Sequence, residues 1–267
     1  MNPQCTDEYL TEYYRQYNEH MPIHSRLKNS ENTTTAELRL KRRRRAKVQN
    51  MELISQHATP GRFLSVGCGD GLEVVIAQEL GWEVEGYEIN PAFANQVAST
   101  LNVPVHSGDF CHLGLRDGAF DCVYMDQVIE HLKNPQEYFL KANRLLRVGG
   151  LLYIGCPNIG SLSNSWKTIS GRIGLQRRRG RHYDLCKHLF YFSPGILTSI
   201  VQEQFQFEVL VCEGAPLSGM KTTQPGLLGR MQERLVRKFP VLDSTFHFVA
   251  RKLADCSHGH GTNRAAA

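Results

Sequence analysis

No stretch of the chain approaches the roughly 20 consecutive apolar residues that a membrane helix needs, so a helical membrane protein is excluded as the reading. The opening residues, MNPQCTDEYLTEYYRQ, contain no apolar core of a secretory leader. Asp7, Glu8 and Glu12 are acidic, which argues against a transit peptide, and the cytoplasm is the expected compartment. Cysteine pairs in C-x-x-C spacing are missing. The eight cysteines are scattered at 5, 68, 111, 122, 156, 186, 212 and 256, and they read as reduced thiols, mostly small core residues. There is no internal repeat. No metal-ligand set is read: the two neighbouring histidines of the C-terminal CSHGHGTNRAAA lie in a segment whose composition predicts a disordered tail. What remains is an ordinary globular balance, 41% hydrophobic and 21% charged over 267 residues, ample for a buried core.

The net charge of +5 conceals an asymmetry. KRRRRAK (41–47) holds six basic residues and RIGLQRRRGR (172–181) holds five, with no acid in either. With those eleven set aside, acids outnumber bases in the rest of the chain, 26 against 20. The clusters have three readings, in this order: a solvated face or arm, a contact with an anionic acceptor or membrane surface, and nucleic-acid binding. No RNA-binding module is recognisable beside them.

Residues 6–20 predict a helix with Thr6 as cap and Tyr9, Tyr13 and Tyr17 on one face. Residues 21–34 read as a linker, and a second helix is expected from about Thr35 to His57. Strands are expected at 62–66, 82–88, 103–106, 120–125 and 151–156, with helices at 72–81, 91–101 and 135–146 between them. This alternation predicts a parallel sheet covered on both faces. Residues 157–192 are too long for a plain connection. A helix from about Pro194 to Gln204, strands at 207–213 and 244–253, and an amphipathic helix at 225–239 follow. The two late strands lack a full crossover and suggest an antiparallel edge.

The informative segment is FLSVGCGDG (63–71), set between a strand and a helix. Its glycines permit a backbone that approaches a ligand closely, and the following helix offers free N–H groups. A dinucleotide turn wants G-x-G-x-x-G/A. Here the pattern is G-x-G-x-G and Leu72 fills the last slot, which argues against a pyrophosphate on this helix. Glu88 ends the next strand, 21 residues beyond Gly67, where a carboxylate can accept from both hydroxyls of a ribose.

These features, with GDF (108–110), FDCVYMDQVIEHL (120–132), LLRVGGLLYIGCPN (145–158) and HLFYFSP (188–194), resemble class I S-adenosylmethionine-dependent methyltransferases, in the broad group that includes the ubiquinone-biosynthesis O-methyltransferases. The resemblance covers residues ~45 to 253, with the segments in order. It implies an α/β, Rossmann-like seven-stranded mixed sheet of order 3-2-1-4-5-7-6, strand 7 antiparallel, with helices on both faces. It implies a domain over 45–253 with insertions at 157–192 and 214–243, an N-terminal helical lid and linker over 1–44, and a tail over 254–267. It also implies S-adenosyl-L-methionine as cofactor, with S-adenosyl-L-homocysteine as product. The implied cofactor residues are Gly67, Cys68, Gly69, Gly71, Glu88 and Ile89, then Asp109 on the adenine amino group, Phe110 near the ring, and Asp126 and Gln127 by the methionine portion. Each has a plainer alternative: a tight turn for the glycines, packing for Cys68, a solvated strand end for Glu88, a turn cap for Asp109, loop polars for Asp126 and Gln127.

Methyl transfer is an in-line displacement, served mainly by alignment and exclusion of water. A hydroxyl acceptor benefits from a base, and the catalytic candidates are His131 in EHL and His188 in HLFYF, with His182 and Tyr183 behind them. The D/N-P-P-Y/F motif is absent, which disfavours the base-amino methyltransferases that use it. The expected function is methyl transfer to a small-molecule or lipid- or sugar-linked acceptor at oxygen. The alternatives are an RNA methyltransferase with basic arms and a non-enzymatic cofactor-binding module.

Overall fold

The computed structural model describes residues 34–172, 188–215, 235 and 238–256. The expected helix at 6–20, the linker up to residue 33, most of the helix at 225–239, and the tail beyond 256 lie outside them. Helix α1 (Thr34–Ser55) precedes strand β1 (Arg62–Val66), helix α2 (Leu72–Glu79), β2 (Glu83–Tyr87), α3 (Pro91–Leu101) and β3 (Val105–His106). Then come β4 (Phe120–Asp126), α4 (Pro135–Leu145), β5 (Leu146–Pro157), α5 (Leu162–Arg172), α6 (Pro194–Phe205), β6 (Phe207–Gly214) and β7 (Thr245–Lys252).

The strands form one sheet in the order β3-β2-β1-β4-β5-β7-β6. Pairings from β3 to β5 are parallel, and β7 runs antiparallel between β5 and β6. This is the expected fold. Helices occupy both faces because a parallel sheet must be covered on both sides. Along β4 the side chains alternate accordingly. Val123 and Met125 join Leu64, Val66, Phe139, Leu145, Leu197 and Phe205 in the core beneath α4 and α6. Cys122 and Tyr124 join Phe63, Met51, Ile54, Leu72, Ile76 and Val97 in the core beneath α1, α2 and α3. Polar groups are thereby driven to the sheet's carboxyl edge.

Local chemistry sets the ends of several elements. Asn90 caps α3 through its side-chain oxygen, which accepts from the amides of Ala92 and Phe93, and Pro91 takes the first helical position. Ser193 and Pro194 repeat that arrangement at α6. Strand β3 is shorter than expected, because Pro104 has no N–H to donate to a ladder. Strand β5 is longer than expected. Gly149-Gly150, which follow the expected helix and precede the expected strand, lie inside β5, whose pairing with β4 shifts register between Phe120 and Cys122. Helix α5 was not expected in the 157–192 insertion. Ser161 caps it by accepting from the Asn164 amide.

Lys252 locks the last strand to the body. It is 1% exposed, and its ammonium donates to the carbonyls of Asn143 (2.6 Å) and Leu146 (2.7 Å) and to Asp255. Replacing it by Met strands two buried carbonyls, so Lys252→Met is expected to cost about 2–4 kcal/mol of unfolding free energy in urea titration. A cost indistinguishable from zero contradicts this assignment.

Candidate functional site

The carboxyl ends of β1, β2 and β4 meet at one edge. Beyond β1 the amides of Gly67 and Cys68 both donate to the Tyr87 carbonyl at the end of β2, at 2.8 and 2.9 Å. The turn therefore moves with β2. Gly67 has φ +70° and lies against Val128, where an added methyl would come within 2.8 Å of a Val128 methyl. At Gly69, φ +51°, a Cβ would meet nothing nearer than the Gly67 carbonyl at 3.9 Å, so the turn presents bare backbone to open space. Gly71 differs: a side chain there would run into Leu101, so it serves packing against α3. Cys68 is 1% exposed, with its sulfur against Gly86, and burial holds its thiol well above the usual range.

Glu88 is 6% exposed, so it is no solvated strand end. One carboxylate oxygen accepts from the Gly69 amide at 3.2 Å and the other from the Asn90 amide at 3.3 Å. Next to it Ile89 is half exposed, an apolar surface beside a fixed acid.

The structure does not bring Asp109 and Phe110 into that group in the same way. Asp109 caps a 3-10 turn, accepting from the Cys111 amide and the His112 ring, and the His112 bond holds its carboxyl below the ordinary value. Its side chain is largely exposed. Phe110 is completely buried between Tyr87 and Tyr138, with ring centroids at 5.0 and 4.8 Å. Its ring packs beneath the edge and offers no free face.

Asp126 ends β4 and turns inward. It accepts from the Lys47 ammonium at 2.9 Å, the Tyr124 hydroxyl at 3.2 Å and the Asn50 amide at 3.3 Å. Lys47 also pairs with Glu73 at 3.3 Å. Burial alone would raise the Asp126 pKa, but Lys47 outweighs it and holds the carboxyl below its ordinary value. Burial keeps Glu73 above its ordinary value despite Lys47. Burial would lower the Lys47 pKa, and Asp126 and Glu73 together hold it raised. Gln127, in the left-handed region at φ +59°, is the exposed polar group of this loop, with its amide on the Gly155 carbonyl at 2.7 Å.

The first basic cluster thus differs from a solvated face. Lys41 and Arg45 are exposed, but Arg43 forms a two-pronged pair with Asp70, Arg44 pairs with Glu79, and Lys47 lies between Glu73 and Asp126. Lys47, Asn50, Asp70 and Glu73 were not singled out in the sequence. The signal was available in the helical spacing of 43, 47 and 50 on the face that also carries Leu40 and Ile54.

His131 and His188, 57 residues apart in sequence, meet edge to face with ring centroids at 4.8 Å. The amides of Leu189 and Phe190 donate to the Glu130 carbonyl at 2.7 and 3.1 Å, pinning the second segment to the first. Glu130 itself is 1% exposed, and neither carboxyl oxygen has a hydrogen-bond partner among the described residues. Burial pushes its pKa up to about 8. Sequence reasoning passed over Glu130, because a lone acid before a histidine carries no spacing signal.

Replacing Lys47 by Met removes the cation that lies between buried Glu73 and largely buried Asp126. The depressed Asp126 pKa contributes stability above its ordinary 3.8 that is lost on acidification. In the variant both acids titrate upward, so their charging costs stability as pH rises. Lys47→Met is expected to lose about 3–5 kcal/mol near pH 7 and much less below about pH 4, read from urea titrations across pH. A loss independent of pH contradicts the ion-pair account.

Residues 64–154 match the family described as a methyltransferase domain. The chain is 31% identical over 104 residues to a probable S-adenosylmethionine-dependent methyltransferase of Mycolicibacterium smegmatis, covering 38% of this chain and 40% of that one. It is 32% identical over 104 residues to a ubiquinone biosynthesis O-methyltransferase of Roseobacter denitrificans, covering 34% and 38%. The matched stretches thus span about two-fifths of the length of these curated relatives. Among solved structures, the geranyl diphosphate C-methyltransferase of Streptomyces coelicolor A3(2), in complex with magnesium, geranyl diphosphate and S-adenosyl-L-homocysteine, shares the fold. The TM-score is 0.56 at 16% identity, covering 94% of this chain and 100% of that one. Sheet order, glycine turn and sequence match agree: residues 64–154 match a methyltransferase domain, and the chain is similar there to S-adenosylmethionine-dependent methyltransferases.

Proposed function

We infer that the protein transfers a methyl group from S-adenosyl-L-methionine to an oxygen of a small-molecule or lipid- or sugar-linked acceptor, leaving S-adenosyl-L-homocysteine. The observation that carries this reading is Glu88, a buried carboxylate fixed by the Gly69 and Asn90 amides beside open, bare backbone. Its residues fit a nucleoside. Glu88 places a carboxylate where a ribose hydroxyl can donate to it, Ile89 offers apolar surface for a flat base, and Asp109 stands exposed at the neighbouring edge for an amino group. Because the carboxylate is already oriented, little side-chain entropy is lost on binding.

The cofactor, when bound, supplies a methyl group on a sulfonium with its leaving group built in. The chain's own residues align and desolvate. Gln127 is the exposed polar group at the end of β4, and Val128 closes against Gly67. His131 follows in the same loop and meets His188 from the segment that enters α6, and a neutral imidazole of this pair takes the acceptor's hydroxyl proton. Helix α5 presents Leu162, Trp166 and Ile169 to solvent at i, i+4 and i+7, apolar surface suited to a lipid-linked acceptor or to contact with an anionic membrane beside the basic run that follows. Half of the first basic cluster is engaged by the protein's own carboxylates, which favours this reading over RNA methylation.

Glu88→Ala removes the ribose acceptor. Its affinity for S-adenosyl-L-homocysteine by calorimetry is expected to fall roughly 10- to 100-fold, the cost of losing charge-assisted hydrogen bonds. Unchanged affinity removes Glu88 from the site and the reading with it. Incubation with methyl-labelled cofactor and fractionated cell extract is expected to label metabolite or lipid fractions. Label confined to RNA contradicts the acceptor class.

A further inference from the structure

We propose that Glu130, His131 and His188 form a binding site for a first-row transition-metal dication. One carboxylate oxygen and one ring nitrogen from each histidine lie within 4.8 Å of one another, and among the described residues no other group of three such donors comes as close. Around a cation with ligand distances of about 2.0–2.2 Å, donors stand roughly 3–4 Å apart. Small rotations of three side chains therefore complete the set. The His131 ring nitrogen already lies 3.8 Å from Glu130.

The independent sign of a ligand is the Glu130 carboxyl. It is 1% exposed, it lies by both imidazoles, and among the described residues neither oxygen has a hydrogen-bond partner. A buried polar group left without a partner costs about 1–3 kcal/mol, and more when charged. A dication satisfies it directly. Two imidazoles with one carboxylate form a borderline N2O donor set, which suits zinc, cobalt, iron or manganese better than calcium or magnesium. Three protein ligands leave positions open for an outside oxygen, the pattern of a reactive rather than a purely structural site.

The backbone makes the trio rigid from both sides. The Glu130 carbonyl takes the Leu189 and Phe190 amides, and the Ile159 amide donates to the Phe192 carbonyl at 3.0 Å. A cation here also ties the end of β4 to the segment entering α6. With the cation bound, an acceptor hydroxyl on its open position would lose its proton to solvent more readily, and this would replace the imidazole's role as base in the metal-free protein. That use rests on the methyl-transfer reading; the existence of the site does not.

The test uses the full chain, stripped with chelator and titrated with Co2+ by visible absorption and with Zn2+ by calorimetry. One Co2+ per chain is expected, with Glu130→Gln and His188→Ala each weakening binding by on the order of tenfold or more. His258→Ala/His260→Ala, which removes the tail histidines, is expected to leave that binding intact. Absence of saturable binding, or binding unaltered by both site variants, overturns the proposal, as does binding lost with the tail histidines. If circular dichroism shows that Glu130→Gln does not fold, His131→Ala and His188→Ala decide the same question. S-adenosyl-L-homocysteine affinity on the same samples keeps the two readings apart. Cofactor binding without metal binding removes the metal site alone; metal binding without cofactor binding removes the methyltransferase reading alone.

Discussion

The hydrogen bond from the Gly69 amide to the Glu88 carboxylate joins the ends of two parallel strands, and the site is arranged around it. Parallel pairing sets Val66 of β1 opposite Tyr87 of β2. The chain leaving β1 then bends sharply enough for two successive amides to reach the Tyr87 carbonyl. That bend requires positive φ at Gly67 and Gly69, and it leaves Glu88 under the exposed amide. The fold and the site obey one constraint. A parallel sheet clothed on both faces has only its edges for polar work, and the carboxyl edge is where the loops of β1, β2 and β4 meet.

Charge at this edge is neutralised from within the chain. Glu73 is buried and Asp126 largely so, and Lys47 lies between them as their shared countercharge. Arg43 on Asp70 and Arg44 on Glu79 extend the contact along α1. An arginine-rich helix has little stability by itself, and tertiary contact supplies it here: Met51 and Ile54 pack into the core one or two turns beyond the ion pairs. A segment that composition suggests is an arm for an anionic partner thus spends half its cations on the body of the protein. The Glu130, His131 and His188 group is the opposite case, a buried acid to which the described protein brings no hydrogen bond.

The β1–α2–β2–α3 unit was legible because its signals are local. An apolar pentapeptide, a glycine turn, an apolar-periodic helix and an Asn-Pro cap each act within a few residues. Strand β5 was misjudged at its start because Gly149-Gly150 carries the same symbols whether it ends a helix or bends a strand, and the register shift against β4 decides which. Helix α5 was missed because SLSNS is poor in strong helix formers, while its cap at Ser161 lies in a glycine- and serine-rich run that reads as loop. The place of Glu88 at the end of β2 was legible from the strand pattern. The inward turn of Asp126 was not, because its partner Lys47 lies 79 residues away in a run of six similar charges. Glu130 and His188 depend on a contact between distant segments, which no spacing rule encodes.

The account stands on a nucleoside resting against Glu88. A crystal structure of the full chain with S-adenosyl-L-homocysteine tests this most directly. The ribose hydroxyls are expected within hydrogen-bonding distance of the Glu88 carboxylate, with the adenine against Ile89 and the Gly67–Gly71 turn beneath the amino-acid portion. A ligand bound elsewhere, or ribose hydroxyls out of hydrogen-bonding distance of the Glu88 carboxylate, contradicts it.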